Sequence, residues 1–206
     1  MAVFAKNCPD IAIEVVDINQ ERINAWNNDD LTKLPVFEPG LSQIIKEVRG
    51  RNLIFSTSVK DSIKKADMVF ISVNTPIKEK GIGAGETSDL RWVESCARQI
   101  SEFSEGHTIV VEKSTLPVKT AQTIKDILFS SNYQISEKSF SVLSNPEFLA
   151  EGTAIKDLEE PDRVLIGGDD EEAMKALKDI YLNWIPLKKL IFTNLWSSEL
   201  SKLTAN

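Results

Sequence analysis

Asp67-Met68-Val69-Phe70-Ile71-Ser72-Val73-Asn74-Thr75-Pro76 is the stretch on which the fold class turns. The longest apolar run of the chain, about Met68 to Val73, stops abruptly at Asn, Thr and Pro. A short, nearly unbroken apolar run suits a β-strand covered on both faces, as in parallel sheets. The turn-forming residues that follow mark its C-terminal end. Outward from this strand the chain alternates. Strands are expected over 11–17, 52–56, 108–112, 139–143, 163–167 and 189–192. Helical stretches are expected over 19–27, 38–48, 58–65, 90–101, 118–130, 171–182 and from 196 onward. Residues 1–7 read as the tail of an earlier helix. Strands separated by crossover helices make βαβ units, so the fold class is α/β, a doubly wound, mostly parallel sheet. With no internal repeat and no long linker, residues 1–195 read as one domain. Residues 196–206 read as the start of a helix leaving it.

Composition narrows the function classes. A chain of 206 residues, 42% apolar and 27% charged, is ordinary globular material, which excludes disorder and low complexity. Lys+Arg minus Asp+Glu is 24 − 31 = −7, and no basic cluster occurs, which argues against nucleic acid and anionic membrane as partners. Cys8 and Cys96 stand far apart with no partner at metal-ligand spacing, so neither a disulfide framework nor a metal site is expected. The apolar run is far shorter than the ~20 residues of a membrane span. Without an apolar leader segment at Met1, a cytoplasmic protein is expected.

The first strand candidate, Ile11-Ala12-Ile13-Glu14-Val15-Val16-Asp17, closes on an acid. Dinucleotide-binding sheets carry such an acid about 20 residues after a glycine fingerprint, where it accepts the ribose hydroxyls. Aspartate is also a common strand-end turn residue, and spacing leaves both readings of Asp17 open. Counting back ~20 residues passes Met1, so the first strand and its glycine loop are expected to be missing. Ser197 to Asn206 is amphipathic but stops without a Gly cap, a Pro or a basic last turn, so both termini read as cut.

Three segments carry groups suited to chemistry. Ile71-Ser72-Val73-Asn74-Thr75-Pro76 runs from a strand into polar residues, at the sheet end where α/β proteins bind ligands; an ordinary turn is the plain alternative. Val110-Val111-Glu112-Lys113-Ser114-Thr115-Leu116-Pro117-Val118 again delivers hydroxyls at a strand end. Ser114 or Thr115 there either caps the next helix, with Pro117 near its first turn, or meets a ligand. In Leu143-Ser144-Asn145-Pro146-Glu147-Phe148-Leu149-Ala150-Glu151-Gly152, Glu147 and Glu151 are four apart and share one face if the stretch is helical. An acid placed there is either a general base or part of a solvated face.

Together with Val15-Val16-Asp17, Arg22-Ile23-Asn24-Ala25-Trp26, Phe37-Glu38-Pro39-Gly40-Leu41 and Trp196-Ser197-Ser198-Glu199-Leu200-Ser201-Lys202-Leu203, these segments resemble the UDP-glucose/GDP-mannose dehydrogenase family. The likeness covers essentially the whole chain. The wording of the Asn145 to Gly168 stretch is closer to the UDP-glucose enzymes than to the GDP-mannose branch, which remains the second alternative. The resemblance implies a Rossmann-like domain and NAD-dependent oxidation of UDP-glucose to UDP-glucuronate, a polysaccharide precursor, by an enzyme that is usually a homo-oligomer. It implies NAD contacts at Asp17, Arg22, Val73, Asn74, Thr75, Pro76, Ile77, Ser114, Thr115, Leu116 and Glu151. It implies that Thr115 and Glu147 position and activate water, and that Lys202 stabilises the developing alkoxide. Glu147, Phe148, Leu149, Ala150 and Glu151, with Lys202, Leu203, Thr204, Ala205 and Asn206, would line the sugar nucleotide.

Departures from the family pattern are equally specific. The glycine fingerprint is absent, Asn28 to Lys33 is slightly longer than the usual loop, and Thr204 replaces an expected alanine. Neither Cys8 nor Cys96 sits in the family's cysteine motif. Two classes of function follow: a piece of the dehydrogenase, inactive alone, or a non-catalytic short product that binds nucleotide weakly or pairs with longer subunits. His107 is read as a turn residue before its strand, and the four tryptophans as core or helix–sheet packing.

Overall fold

A computed structural model describes residues 1–76, 88–114, 117–130 and 138–205. In chain order its elements are α1 (Ala2–Asn7), β1 (Ile13–Val16), α2 (Gln20–Trp26), α3 (Leu41–Val48), β2 (Leu53–Ser56), α4 (Val59–Lys65) and β3 (Met68–Ile71). Then come α5 (Arg91–Phe103), β4 (His107–Glu112), α6 (Thr120–Ser130), β5 (Ser139–Ser144) and α7 (Ala154–Glu159). β6 (Val164–Gly167), α8 (Glu171–Tyr181), β7 (Leu190–Thr193) and α9 (Leu195–Ala205) complete the chain. Every strand expected from periodicity is present, β1, β2, β3 and β6 shorter than expected, β4 and β5 one residue longer, and β7 shifted by one.

The residues form two compact units. The first comprises Met1–Ser62, Phe148–Asp162 and Asp179–Lys189. Its β1 and β2 pair in parallel, Ile13 opposite Leu53 and Val16 opposite Ser56. Around them Val3, Ala5, Ile23, Leu41, Ile44, Ile45, Val48 and Phe55 form the core. Residues 2–7 are helical as expected, and Phe4 packs edge-on against Tyr181 and Trp184 at centroid separations of 5.2 and 5.1 Å. The 38–48 helix starts later than periodicity suggests, at Leu41. Gly40 adopts φ +85 immediately before it, a left-handed conformation that glycine reaches at little cost and a helix interior excludes. Asn52 fastens the turn between α1 and β1, its Nδ2 donating to the carbonyls of Ala5, Cys8 and Ile11 at 3.0–3.1 Å.

The second unit comprises Ile63–Glu147, Arg163–Lys178 and Leu190–Asn206 and holds a sheet ordered β3-β4-β5-β6-β7. All its pairings are parallel except β5 with β6, which meet antiparallel at Ser144 and Gly167. β4, β5 and β6 supply the buried layer, including Val110, Val111, Val142, Leu143, Leu165 and Ile166. β3 differs from the expectation of a doubly covered strand. It is the edge of this sheet, and of its residues only Ile71 is buried. Hydrophobicity reports that a strand can be buried, whereas its place in the sheet decides whether it is.

Gly167 shows how closely α9 is seated. A methyl added to it would meet the Ser198 Cβ well inside van der Waals contact and the Asn194 carbonyl oxygen at 2.9 Å. Gly167→Ala is expected to cost about 2–3 kcal/mol through overpacking, read as a lower denaturation midpoint with an unchanged m-value.

Two packing expectations need correction. Trp26 stacks on Phe55 and Trp184 packs in the first unit, but Trp92 and Trp196 are 51% and 55% exposed. They lie on the outer faces of α5 and α9, where helical period places a residue but cannot show what covers it. His107 is no turn residue either. It opens β4, with Nδ1 2.8 Å from Ser139 Oγ and Nε2 3.3 Å from Ser141 Oγ.

Candidate functional site

In the first unit Asp17 follows directly on β1. Its Oδ1 accepts the Asn19 amide at 2.8 Å and its Oδ2 accepts from Arg22 Nη1 at 2.9 Å. Asn19 in turn caps α2 by accepting the Arg22 amide at 3.1 Å. The strand-end turn and the cap therefore belong to one structure, and they hold an acid at a fixed place with an arginine beside it. The ion pair is solvent-exposed and contributes little to stability, about 0–1 kcal/mol.

Also in the first unit, Phe148 to Ala150 have no regular structure, and a turn over 151–153 leads into α7. The stretch is not helical, so Glu147 and Glu151 share no helical face. Pro146 disfavours the helical region for the residue before it, and the stretch is fastened to loops instead. Asp157 accepts the Ala150 amide at 3.1 Å and the Thr153 hydroxyl at 2.8 Å, contacts that hold its carboxyl below the usual range. Glu38 accepts the Gly152 amide at 2.9 Å, and Gly152 takes φ +86. Periodicity gave no hint of this role for Glu38. Its neighbours Pro39 and Gly40 do signal a turn whose side chains are free to reach elsewhere.

The second unit gathers the other candidates at the C-terminal ends of β3, β4 and β5. Val73 and Thr75 are half-buried and Asn74 and Pro76 exposed, and the Pro76 carbonyl accepts the Asp89 amide at 2.7 Å. Asp89, itself buried, is gripped by Arg91, whose Nε lies 2.9 Å from both carboxylate oxygens. Ser114 does not cap the following helix. Its hydroxyl donates to the Val73 carbonyl at 3.0 Å, tying the end of β4 to the end of β3. Ile77, Thr115, Leu116 and Asn206, all expected site residues, lie outside the described residues.

The work at the start of α6 falls instead to Glu199, some 80 residues away in sequence. Its Oε2 accepts the Lys119 amide and its Oε1 the Ala121 amide, both at 2.8 Å. Lys119 is the non-glycine residue with positive φ (78°) among the described residues. On the same helix Lys202 is buried and its ammonium donates to the main-chain carbonyl of Glu147. The structure thus joins Lys202 and Glu147, two residues expected to share a site. Leu203, Thr204 and Ala205 are exposed on the last turn of α9.

Near Glu199 lies a third acid. Glu112 is 2% exposed, and its Oε2 has one long hydrogen bond, donated by Ser144 Oγ at 3.5 Å. Its Oε1 has no partner among the described residues. Burial, reinforced by the charge of Glu199 and opposed by Lys113, pushes the Glu112 carboxyl up to about 8. In the sequence its only sign is an acid that ends an apolar strand.

Polar groups set past the C-terminal ends of parallel strands, in an α/β frame, mark the place where nucleotide-binding α/β folds hold their ligands, and the fold is that of solved nucleotide-sugar dehydrogenases. Residues 1–185 match the NAD binding domain of the UDP-glucose/GDP-mannose dehydrogenase family. Over 210 aligned residues the chain is 55% identical to UDP-glucose 6-dehydrogenase 1 of Arabidopsis thaliana, with 100% of this chain and 42% of the relative covered. It is 55% identical to the UDP-glucose 6-dehydrogenase of Gallus gallus, covering 100% of this chain and 41% of the relative. A UDP-glucose dehydrogenase from the hyperthermophilic archaeon Pyrobaculum islandicum superposes with a TM-score of 0.84 at 28% identity, over 99% of this chain and 46% of that one. The chain belongs to the UDP-glucose/GDP-mannose dehydrogenase family. It spans about 42% of the length of the curated relatives it matches, and NAD is the cofactor of the domain it matches. Among the described residues, no helix is long and apolar enough to cross a membrane.

Proposed function

We propose that this chain is the NAD-binding part of an enzyme that oxidises the C6 alcohol of UDP-glucose to the carboxylate of UDP-glucuronate. The observation that carries the reading is the join between Lys202 and Glu147, which places an ammonium beside an acid-bearing strand end. NAD, when bound, would supply the hydride acceptor for each of the two successive oxidations, one equivalent per step. Asp17 fits the adenosine ribose: its carboxylate is oriented in advance by the Asn19 amide and Arg22, at the strand end where dinucleotide folds need an acceptor. Val73 to Ile77, Ser114 to Leu116 and Glu151 are proposed as further NAD contacts.

Lys202 stabilises the alkoxide that develops as the C6 hydroxyl loses its proton, a cation aimed where negative charge grows. By the family resemblance the acid level is reached as a thioester on a cysteine that is neither Cys8 nor Cys96, and Glu147 and Thr115 hold and activate the water that hydrolyses it to the carboxylate and free thiol. By the family resemblance Phe148 to Ala150 and Leu203 to Asn206 are proposed as sugar-nucleotide contacts. Residues 1–195 constitute the cofactor domain and 196–206 begin a linking helix, in a cytosolic homo-oligomer.

Neither thiol of this chain suits nucleophilic catalysis. Cys8 is buried and donates to the Ile180 carbonyl, Cys96 is half-buried, and burial pushes both thiols up, away from the thiolate. The same fact favours a second reading, a non-catalytic chain that binds nucleotide or pairs with longer subunits.

NAD titrated into the purified chain tests the binding reading. Saturable binding is expected, and Asp17→Ala is expected to weaken it about tenfold, the loss of roughly one charge-assisted hydrogen bond. Absence of binding in the wild-type chain would overturn the reading. With UDP-glucose present, the chain alone is expected to reduce no NAD.

A further inference from the structure

Two buried acids of the second unit, Glu112 and Glu199, have no part in the chemistry above. Glu199 directs both carboxylate oxygens at main-chain amides, Lys119 N and Ala121 N, each at 2.8 Å. Those amides open α6, and a carboxylate accepts helix N-terminal N–H groups better than a neutral acid does. One of them belongs to Lys119, whose positive φ an L residue keeps only when its surroundings impose it. Upstream of Lys119 lie Ser114, which is tied to the end of β3, and Thr115. The Glu199 contact therefore sets the start of α6, and the Ser114 contact the end of β4.

Glu112 is the last residue of β4. The groups that face it are Glu199 from α9, Ser144 from β5 and the adjacent Lys113, while its β3 neighbour in register is the apolar Ile71. The Lys113 ammonium is turned to Asn145, reaching its Oδ1 at 3.2 Å and its carbonyl at 3.4 Å. The ammonium of Lys202, three residues along α9 from Glu199, is directed to the Glu147 carbonyl. Two acids buried in one unit are tolerated when one retains its proton. Both oxygens of Glu199 serve as acceptors, so the proton belongs on Glu112.

We propose that Glu112 and Glu199 act as one positioning pair: Glu199 holds the start of α6 through the Lys119 and Ala121 amides, and Glu112, buried at the end of β4, keeps the proton that lets Glu199 do so as an anion. The assignment rests on the reading that the strand end before α6 contacts NAD. Neither acid touches the cofactor or substrate; both act through the backbone. When Glu112 ionises, repulsion between the two carboxylates weakens the grip on the first amides of α6.

The test is amide hydrogen exchange at Lys119 and Ala121, corrected for intrinsic base catalysis, followed in the 206-residue chain together with its NAD affinity. Wild-type protection is expected to fall about tenfold as the pH passes about 8, with NAD affinity falling at the same break. Glu112→Gln, which mimics the protonated acid, is expected to flatten both profiles. Glu199→Gln, whose amide group would present a donor to one of the two N–H groups, is expected to lose about tenfold in protection at every pH. Flat wild-type protection, or a break that survives in Glu112→Gln, would overturn the proposal. Should Glu112→Gln fail to fold, a carbon-13 titration of the wild-type Glu112 carboxyl decides: a midpoint near 8 supports it, and an ordinary carboxylate midpoint sinks it. If wild type binds no NAD, the cofactor reading fails, while the exchange profiles still judge the pair.

Discussion

Lys202→Ala, placed in a protein of the length of its relatives, lowers the rate of the first hydride transfer by about 10²–10³-fold, the usual loss when one donor to a developing oxyanion is removed. Stopped-flow appearance of NADH in a single turnover reads it. The side chain is well made for the role: α9 buries it, and its ammonium is already oriented by the Glu147 carbonyl. A preorganised cation in a dry place stabilises charge without reorganising during the reaction. Glu147→Gln separates this effect from simple disruption. It leaves the main-chain carbonyl that Lys202 uses and removes only the carboxylate. The first hydride transfer is therefore expected to persist, while the later hydrolytic step slows. A Lys202→Ala variant with an unaltered first turnover would remove Lys202 from the mechanism.

Between about pH 5 and pH 8, stability of this chain falls with rising pH, and Glu112 is the cause. Its carboxyl titrates at 4.5 in the absence of structure and at about 8 when folded. Below 4.5 both states hold the proton and Glu112 adds no pH dependence. Across the window the unfolded chain sheds the proton while the folded chain keeps it, so each pH unit costs roughly 1.4 kcal/mol. Above about 8 the folded state ionises as well and the slope disappears. The whole effect is on the order of 5 kcal/mol, a large share of the 5–15 kcal/mol typical of a domain. Denaturant midpoints at a series of pH values measure it, and Glu112→Gln is expected to abolish the slope. Asp170 supplies the opposite limb. The Ser141 hydroxyl and the Ala173 amide hold its carboxyl low, so its contribution is present at neutral pH and is lost only as the medium becomes strongly acidic.

Much of the site's layout was legible beforehand. A strand ending in Asp17, a strand running into Asn74 and Pro76, and a strand delivering Ser114 all stand where local reading puts them. Turn chemistry and hydrophobic period are short-range properties, and they survive folding because the fold is consistent with them. Ser114 shows the limit. A hydroxyl before a helix reads as a cap, yet its nearest good acceptor proved to be the Val73 carbonyl on the neighbouring strand.

Sequence by itself determined the α/β alternation, the strand ends that carry polar groups, and the family, because each depends on residues close in the chain or on long matched motifs. Tertiary structure alone decided that β3 lies at a sheet edge, that Trp92 and Trp196 face outward, and that 145–150 is not helical. It alone decided that Glu199 caps α6 and that Lys202 meets Glu147. The physical reason is separation. Which carboxylate satisfies which amide, and which acid keeps its proton, depends on partners dozens of residues apart that meet only when the sheet and its helices have closed around them.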